Sequence, residues 1–310
     1  MTEIATARAP ASIGNIGVGY DVMGHAFDAL HDTVTARREA APGVRLGAVT
    51  GLVDSLPESI ADNACLAAAA AVLDAAGADF GARLDIDKQI PLSAGLGGSG
   101  ASAVAGAAAA NGLLAKPFGI DALLPFALEG ERAASGSPAW DNVMPSLIGG
   151  LVMAARLDPP LVRVIPAPSG VVSVAVLPEA TIETRAARAA LAESTPLATA
   201  VEHARRIAAF GAGCAMNDLD LVAAGLEDVL IEPQRARLLP AFPAVKAAAM
   251  KAGALGCSFS GSGPAMFAWA LEDDADAAAD AMQAAFDAAG LASRAWRSAI
   301  NAEGVTVERG

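Results

Sequence analysis

The residues with the clearest chemical potential are Ser93-Ala-Gly-Leu-Gly-Gly-Ser-Gly-Ala-Ser102, which lead into an alanine-rich segment. Glycines let the backbone fold tightly enough for several N–H groups to converge on one point. A helix start directly afterwards adds the positive end of its dipole. Together these make an anion site that needs no basic side chain, so the run reads as a phosphate-cradling loop. Other readings compete. Gly95, Gly97 and Gly100 fit the dinucleotide pattern GxGxxG, which requires an unbroken strand before it and an acidic strand end about 20 residues later. Here Pro91 intervenes, and Asp121 lies in the turn-like Lys-Pro-Phe-Gly-Ile-Asp. A Walker loop requires a lysine after the glycines, and none follows. Asp79-Phe80-Gly81 spells a protein-kinase metal motif but precedes the loop, and the chain has no His-Arg-Asp sequence. The remaining alternative is a glycine-rich helix entry that serves only close packing.

Composition narrows what such a loop would serve. The 310 residues are 54% hydrophobic, enough for one large domain or two modest ones around a sizeable core. Aromatics are only 4% and much of the apolar content is alanine, so the core must pack by close helix approach. The formal net charge of −13, with no run of lysine or arginine, excludes a nucleic-acid or anionic-membrane partner. An anionic nucleotide would have to be held locally by backbone N–H groups, a metal or a few placed cations. Cys65, Cys214 and Cys257 are odd in number and far apart, which favours a reducing compartment over a disulfide scaffold or thiolate zinc site. The first residues lack an apolar signal core. A cytoplasmic location is therefore expected. Residues 90–115 carry no charge and could span a bilayer by length, but Pro91, the glycines and the dominance of alanine argue against it.

The elements that would position the loop follow from periodicity and punctuation. Asp62-Asn63 should start a helix over 64–76 that stops at Gly77. Arg83-Leu-Asp-Ile-Asp alternates as a half-buried strand does. Residues 91–100 should be irregular, with helices over 101–114 and 123–134. Gly149-Gly150 should open a strand, Asp158-Pro159-Pro160 a turn, and residues 171–177 a strand. Residues 196–252 should be helical with a break around 211–217. A second glycine–serine loop at 257–263, a strand at 265–271, a helix at 273–289 and one or two final strands complete an α+β pattern, divided near residue 155 into halves 1–155 and 156–310.

Two further blocks accompany the loop: Ala9-Pro-Ala-Ser-Ile-Gly-Asn15-Ile-Gly-Val-Gly-Tyr-Asp21-Val-Met-Gly near the start and Ser258-Phe-Ser-Gly261-Ser-Gly-Pro264 near the end. In this order and at these separations, the set resembles the three motifs of the GHMP small-molecule kinases. Asp141-Asn142-Val-Met-Pro with Gly149-Gly150, Thr184-Arg-Ala-Ala-Arg188 and Glu232-Pro-Gln-Arg235 extend the resemblance over the whole chain, toward the members that phosphorylate homoserine.

The resemblance implies a GHMP fold, with a ribosomal S5 domain 2-like first half, a ferredoxin-like second half and the site between them. It implies ATP and Mg2+ as cofactors, homoserine as the small-molecule partner in threonine biosynthesis, and leaves a homodimer open. Pro91, Ser93, Gly95, Leu96, Gly97, Gly98, Ser99, Gly100 and Ala101 would form the nucleotide loop, with the Ser99 hydroxyl and Glu131 on magnesium. Asn63 and Lys88 fall where the family lines the base and ribose; on their own they read as a helix N-cap and a surface strand residue. Asn15, Asp21, Thr184, Arg188, Arg235 and Gly261 would meet the acceptor: the arginines its carboxylate, whose geometry suits a guanidinium fork, and Asp21 its ammonium. Read alone, each arginine is a surface ion-pair residue, and Thr184 equally caps a helix. Asp141 is the candidate base and Asn142 orients the hydroxyl, unless the two simply cap a helix beginning near Val143.

Two positions depart from the family pattern. Gly98 replaces the first serine of GLGSS, and Ala139 replaces a histidine that lies near the substrate in the family. The second departure keeps a kinase of another hydroxylated metabolite in play. A non-catalytic nucleotide-binding protein of the same fold is disfavoured by retention of Ser99, Glu131, Asp141, Arg188 and Arg235. His25, His31 and His203 match no catalytic pattern and are expected to be structural or exposed.

Overall fold

The structure is a computed structural model that describes residues 2–310. Its first strand, β1 (Ile4–Gly14), alternates buried alanines with less buried neighbours and then becomes buried throughout, where helices cover it. β1 pairs antiparallel with the long β2 (Met23–Glu39). The register shifts once, between Pro10 and Ala11, at the residue that has no N–H to give. β3 (Gly43–Gly51), β4 (Gly81–Lys88), β5 (Leu151–Leu157) and β6 (Pro160–Ile165) extend the sheet. The path β11-β1-β2-β4-β3 is joined at β2 by the β5–β6 hairpin, and β11 (Thr306–Arg309) returns from the end of the chain.

Helices α1 (Ala64–Ala75), α2 (Gly98–Gly112), α3 (Leu124–Ser135) and α4 (Trp140–Ile148) accompany this sheet. From Gly100 onward α2 is buried on every side. Glycine and alanine dominate that stretch because there is little room: a Cβ on Gly106 would meet the Cys65 backbone. The expected close helix approach is thus the packing mode of this half.

The second sheet has the antiparallel order β10-β7-β9-β8, from β7 (Val171–Pro178), β8 (Gly256–Phe259), β9 (Met266–Leu271) and β10 (Ser293–Ala299). Helices α5 (Thr184–Ala189), α6 (Leu197–Met216), α7 (Leu219–Gly225), α8 (Glu232–Arg235) and α9 (Phe242–Lys251) lie between β7 and β8 in sequence, and α10 (Ala275–Ala288) joins β9 to β10. This is the β-α-β-β-α-β order of a ferredoxin-like unit with an elaborated first crossover.

The structure moves several expected boundaries. Residue 155 falls inside β5; Asp158-Pro159 is the hairpin turn, Pro160 already begins β6, and the chain enters the second sheet only at β7. Helix α2 starts at Gly98 rather than 101, because Gly97 supplies the left-handed turn that begins it. Helix α6 runs through Gly211 and stops at Asn217, whose φ of 56° ends it. The two sheets meet at His25, which is fully buried. Its Nδ1 donates to the Ala26 carbonyl, and its Nε2 lies 3.0 Å from Ser173 Oγ and 3.4 Å from Trp269 Nε1. No helix among the described residues is long and apolar enough to cross a membrane.

Candidate active site

A cavity of about 710 Å³ opens between the loops and helices of the first half and the α5, α8 and 261–262 segments of the second. Its floor is the loop before α2. Gly95 and Gly97 hold φ of 78° and 68°, which only glycine adopts without strain. A side chain on Gly95 would strike the carbonyls of Ser260 and Gly263, and one on Gly97 would strike Ser12 Oγ. The loop is thus clamped from two sides. Ser260 Oγ donates to the Gly95 carbonyl at 2.6 Å, and the Ala265 N–H donates to Ala94 at 3.0 Å. On the other side the Ser12 N–H donates to Leu96 at 3.1 Å. Of the second glycine–serine loop expected at 257–263, the first residues belong to β8, and the remaining turn at 260–263 is a brace for the first loop.

Gly97 is the N-cap of α2 and, having no side chain, caps nothing. The first-turn N–H groups of α2 receive no acceptor from that cap, Gly98 and Ser99 of this turn line the cavity, and the helix dipole favours an anion there. Beneath this turn the buried Lys88 ammonium contacts Asp32, the Gly98 carbonyl at 2.8 Å and Ser102 Oγ at 3.0 Å. Asp32, itself fully buried, also accepts from the N–H groups of Gln89 and Ile90 and from Ser102.

Glu131 projects from α3 to the same cavity and is 3% exposed. Its Oε2 is buried without any hydrogen-bond partner. Burial pushes its carboxyl up to about 7, against the opposing effect of the Ser99 and Ser135 hydroxyls. A buried, unpartnered carboxylate oxygen next to a first-turn serine is a hard-oxygen donor set that fits a divalent cation keeping several of its waters. Among the described residues no cluster of three or more His, Cys, Asp or Glu offers a closed cage instead.

Asp141 and Asn142 lie in the first turn of α4, two and three residues past the Ala139 N-cap, and neither side chain caps that helix. The capping reading fails because the helix begins at Trp140, which turns both side chains toward the cavity they line. Ser12 Oγ donates to Asn142 Oδ1 at 3.0 Å and so fixes the amide. Asp141 is 2% exposed; burial first, and the Asp21 charge second, push its carboxyl up to about 7.

The opposite end of the cavity is built by three distant segments. Asn15, Ile16 and Asp21 all hold positive φ, so the 15–21 loop is unusually contorted for non-glycine residues. Asn15 Oδ1 accepts the Asp21 N–H at 3.0 Å, and its Nδ2 donates to Gly261 O at 2.8 Å. Arg188, on α5, makes a two-pronged ion pair with Asp21 at 3.1 and 3.2 Å. Arg235, on α8, is 4% exposed. It donates to the carbonyls of Ala187 and Gly261, both at 3.2 Å, and no carboxylate pairs with it among the described residues. Tyr20 lies between the arginines: its hydroxyl is 3.4 Å from each, and its ring faces Arg235 at 5.0 Å.

The chain matches known proteins along nearly its whole length. The model described as GHMP kinases N terminal domain matches residues 63–150, and that described as GHMP kinases C terminal matches 197–288. A homoserine kinase of Xanthomonas campestris is 46% identical over 300 residues, covering 96% of this chain and 92% of the relative. This chain belongs to the GHMP kinase family. A homoserine kinase of Chlorobaculum tepidum is 37% identical over 322 residues, covering 98% of both chains. The crystal structure of a homoserine kinase from Cytophaga hutchinsonii superposes with a TM-score of 0.95 at 37% identity, covering 99% of this chain and 98% of that one. The fold is the GHMP kinase fold, and GHMP kinases use ATP.

Within this GHMP kinase the cavity gathers most of the expected residues: Asn15, Asp21, Asn63, Lys88, Pro91, Ser93, Gly95, Gly97, Gly98, Ser99, Glu131, Asp141, Asn142, Thr184, Arg188, Arg235 and Gly261. Others differ from expectation. Leu96 points into the core, Gly100 packs near Val143, and the Ala101 N–H is already bonded to Gly97 O, so those three do not line the cavity. Asn63 is an N-cap whose oxygen accepts from Cys65 and Leu66 while its Nδ2 donates to Pro57, leaving little for a nucleotide. Lys88 is not a surface residue, and its three N–H donors are all spent under α2 rather than in a base pocket. Thr184 is the first residue of α5, not its cap, and lies 3.3 Å from Ser262 Oγ.

Ser12, Tyr20 and Asp32 were not singled out beforehand. Ser12 and Tyr20 sit inside the first motif, which was the available signal. Asp32 carries none, since it is one polar residue in a long strand.

Proposed function

We propose that this chain transfers the terminal phosphoryl group of ATP to the side-chain hydroxyl of L-homoserine, giving O-phospho-L-homoserine and ADP. The observation that carries the reading is Arg235: a buried guanidinium with no carboxylate partner, facing a cavity that also holds a phosphate-type loop. A buried charge is stable only if something pairs with it, and an amino acid's carboxylate does so.

The chain's own residues account for most of the reaction. N–H groups of the first turn of α2 hold the phosphates by position and dipole. Ser99 and Glu131 would hold magnesium, which supplies charge neutralisation on the transferring phosphoryl group. Arg235 and Arg188 bind the carboxylate, and Asp21 the ammonium. Asn142, fixed by Ser12, orients the hydroxyl. As the new O–P bond forms and the bond to ADP breaks, the hydroxyl proton passes to the Asp141 carboxylate, whose raised proton affinity suits it to receive one. The cytoplasm is the compartment this reading entails, and the three buried, unpaired cysteines suit it.

One observation favours a second reading. Ala139 lines the cavity where the family pattern has histidine, so a bulkier hydroxylated acceptor has room there. An ADP-release assay across homoserine, threonine, serine and mevalonate decides between them. Homoserine should be turned over fastest; turnover of another alcohol without homoserine would replace it as substrate.

A further inference from the structure

The two arginines are in different states. Arg235 is buried, fixed by two backbone carbonyls, and free of carboxylates. Arg188 is half-exposed and occupied by Asp21, itself half-exposed, through a two-pronged pair. Asp21 and Arg188 line the same cavity as Arg235, and Tyr20 bridges the guanidinium groups. One arginine is thus ready for an anion, while the other is answered by a charge from its own chain.

We propose that Asp21 and Arg188 form an exchangeable pair that selects zwitterionic acceptors. The inference rests on the reading that the acceptor is an α-amino acid. Its carboxylate docks first on Arg235. Its ammonium then takes Asp21, and the released Arg188 closes on the second carboxylate oxygen. Each charge broken out of the pair finds an opposite charge on the ligand, so the exchange is balanced. A ligand with one charge cannot complete it. An amino alcohol that captures Asp21 strands Arg188. A hydroxy acid leaves the pair shut and gains Arg235 alone. Once a bound acceptor covers the pair and excludes water, a charged donor or acceptor left unanswered there costs more than a made contact gains, which is how a site rejects the wrong partner.

The test compares L-homoserine, 4-hydroxybutanoate (no ammonium) and 3-aminopropan-1-ol (no carboxylate) by ADP release. Wild type should prefer homoserine over either analogue by roughly 10²-fold or more in kcat/KM, as unmatched polar groups in a site produce. Asp21→Asn frees Arg188. It should lower kcat/KM for homoserine and raise it for 4-hydroxybutanoate, shifting their ratio by roughly 10²-fold. Arg188→Met frees Asp21 and should shift the ratio toward 3-aminopropan-1-ol instead, with 4-hydroxybutanoate little changed.

If both variants weaken all three acceptors alike, the pair is a structural tie and the proposal is wrong. The reversed pair, Asp21→Arg with Arg188→Asp, separates the cases again. A structural tie predicts recovery of homoserine turnover, whereas exchange predicts none, because the ligand's polarity is now opposed. Failure of wild type to turn over homoserine would instead sink the substrate assignment, and the exchange with it. Wild-type turnover with unshifted ratios in the variants would sink the exchange alone.

Discussion

The two ends of the cavity are made in different ways. The proposed phosphate end is built on one continuous segment, a glycine loop and the first turn of α2, with a lysine–aspartate pair from β4 and β2 beneath it. Its working groups are backbone N–H donors, and its rigidity comes from braces on both sides, Ser12 and Ser260. The acceptor end has no continuous segment. It is three side-chain clusters from the 15–21 loop, α5 and α8, held by hydrogen bonds between residues up to 246 positions apart. The difference teaches where change is tolerated. Triphosphate is the same in every reaction of an ATP-dependent kinase, so a backbone cradle suffices. The acceptor varies, and long polar side chains can be exchanged without refolding the cradle.

If that division holds, damage at the phosphate end should abolish turnover with any acceptor. Ser99→Ala and Glu131→Ala should each lower kcat by roughly 10²-fold or more, as loss of positioned electrostatic stabilisation does. Near-normal rates in both would remove them from the metal site. Glu131→Gln adds a signature that a folding defect would not. Removal of a buried charge should raise the Tm of the ligand-free protein at pH 8 while activity is lost.

Next in size is the cradle's geometry. Gly97→Ala forces a side chain onto Ser12 Oγ at a φ of 68°. It should destabilise the protein by about 1–2 kcal/mol from backbone strain alone and raise the KM for ATP. An unchanged melting curve and ATP affinity would show that the loop can open away from Ser12.

At the acceptor end, Arg235→Ala should raise the KM for homoserine by roughly tenfold or more and that for ATP far less, since a charged hydrogen bond there serves one substrate only. A larger effect on ATP would move Arg235 to the nucleotide side and erase the proposed boundary between the ends.

The smallest effects concern pH. Burial raises the carboxyls of Glu131 and Asp141 to about 7, so the folded protein holds their protons more tightly than the unfolded chain. The resulting stabilisation is present in acid and is lost as pH rises through about 7. His25 acts in the opposite sense. Burial lowers it to about 4, so the unfolded chain gains a proton first as pH falls, and stability declines. The ligand-free protein should therefore melt highest in weak acid. MgATP should stabilise it most on the alkaline side, where Glu131 is ionised. A Tm that climbs steadily from pH 6 to 8 without ligand would contradict the burial of these carboxylates.

Much of this molecule is legible in its residues because the relevant signals are local. Asn63 caps α1 as an asparagine before an alanine run should, and alternating burial marks β4. The glycine loop declares an anion site without any partner. Boundaries were less legible where one residue's conformation decides them. Gly97 in the left-handed region brings the start of α2 forward and puts Ser99 in its first turn. Asn217, not Gly211, ends α6.

The sequence by itself determined the anion loop, the three-motif set and hence the family, because these are runs of neighbouring residues whose backbone chemistry depends little on the rest of the chain. The tertiary structure alone decided what the isolated charges do. Lys88 became a buried strut through Asp32, a strand residue with no sequence signal. Arg188 became Asp21's partner, and Arg235 an unpaired cation. A charged side chain's role is set by which opposite charge lies within about 4 Å and by how much water reaches it, and both are properties of segments brought together only by folding.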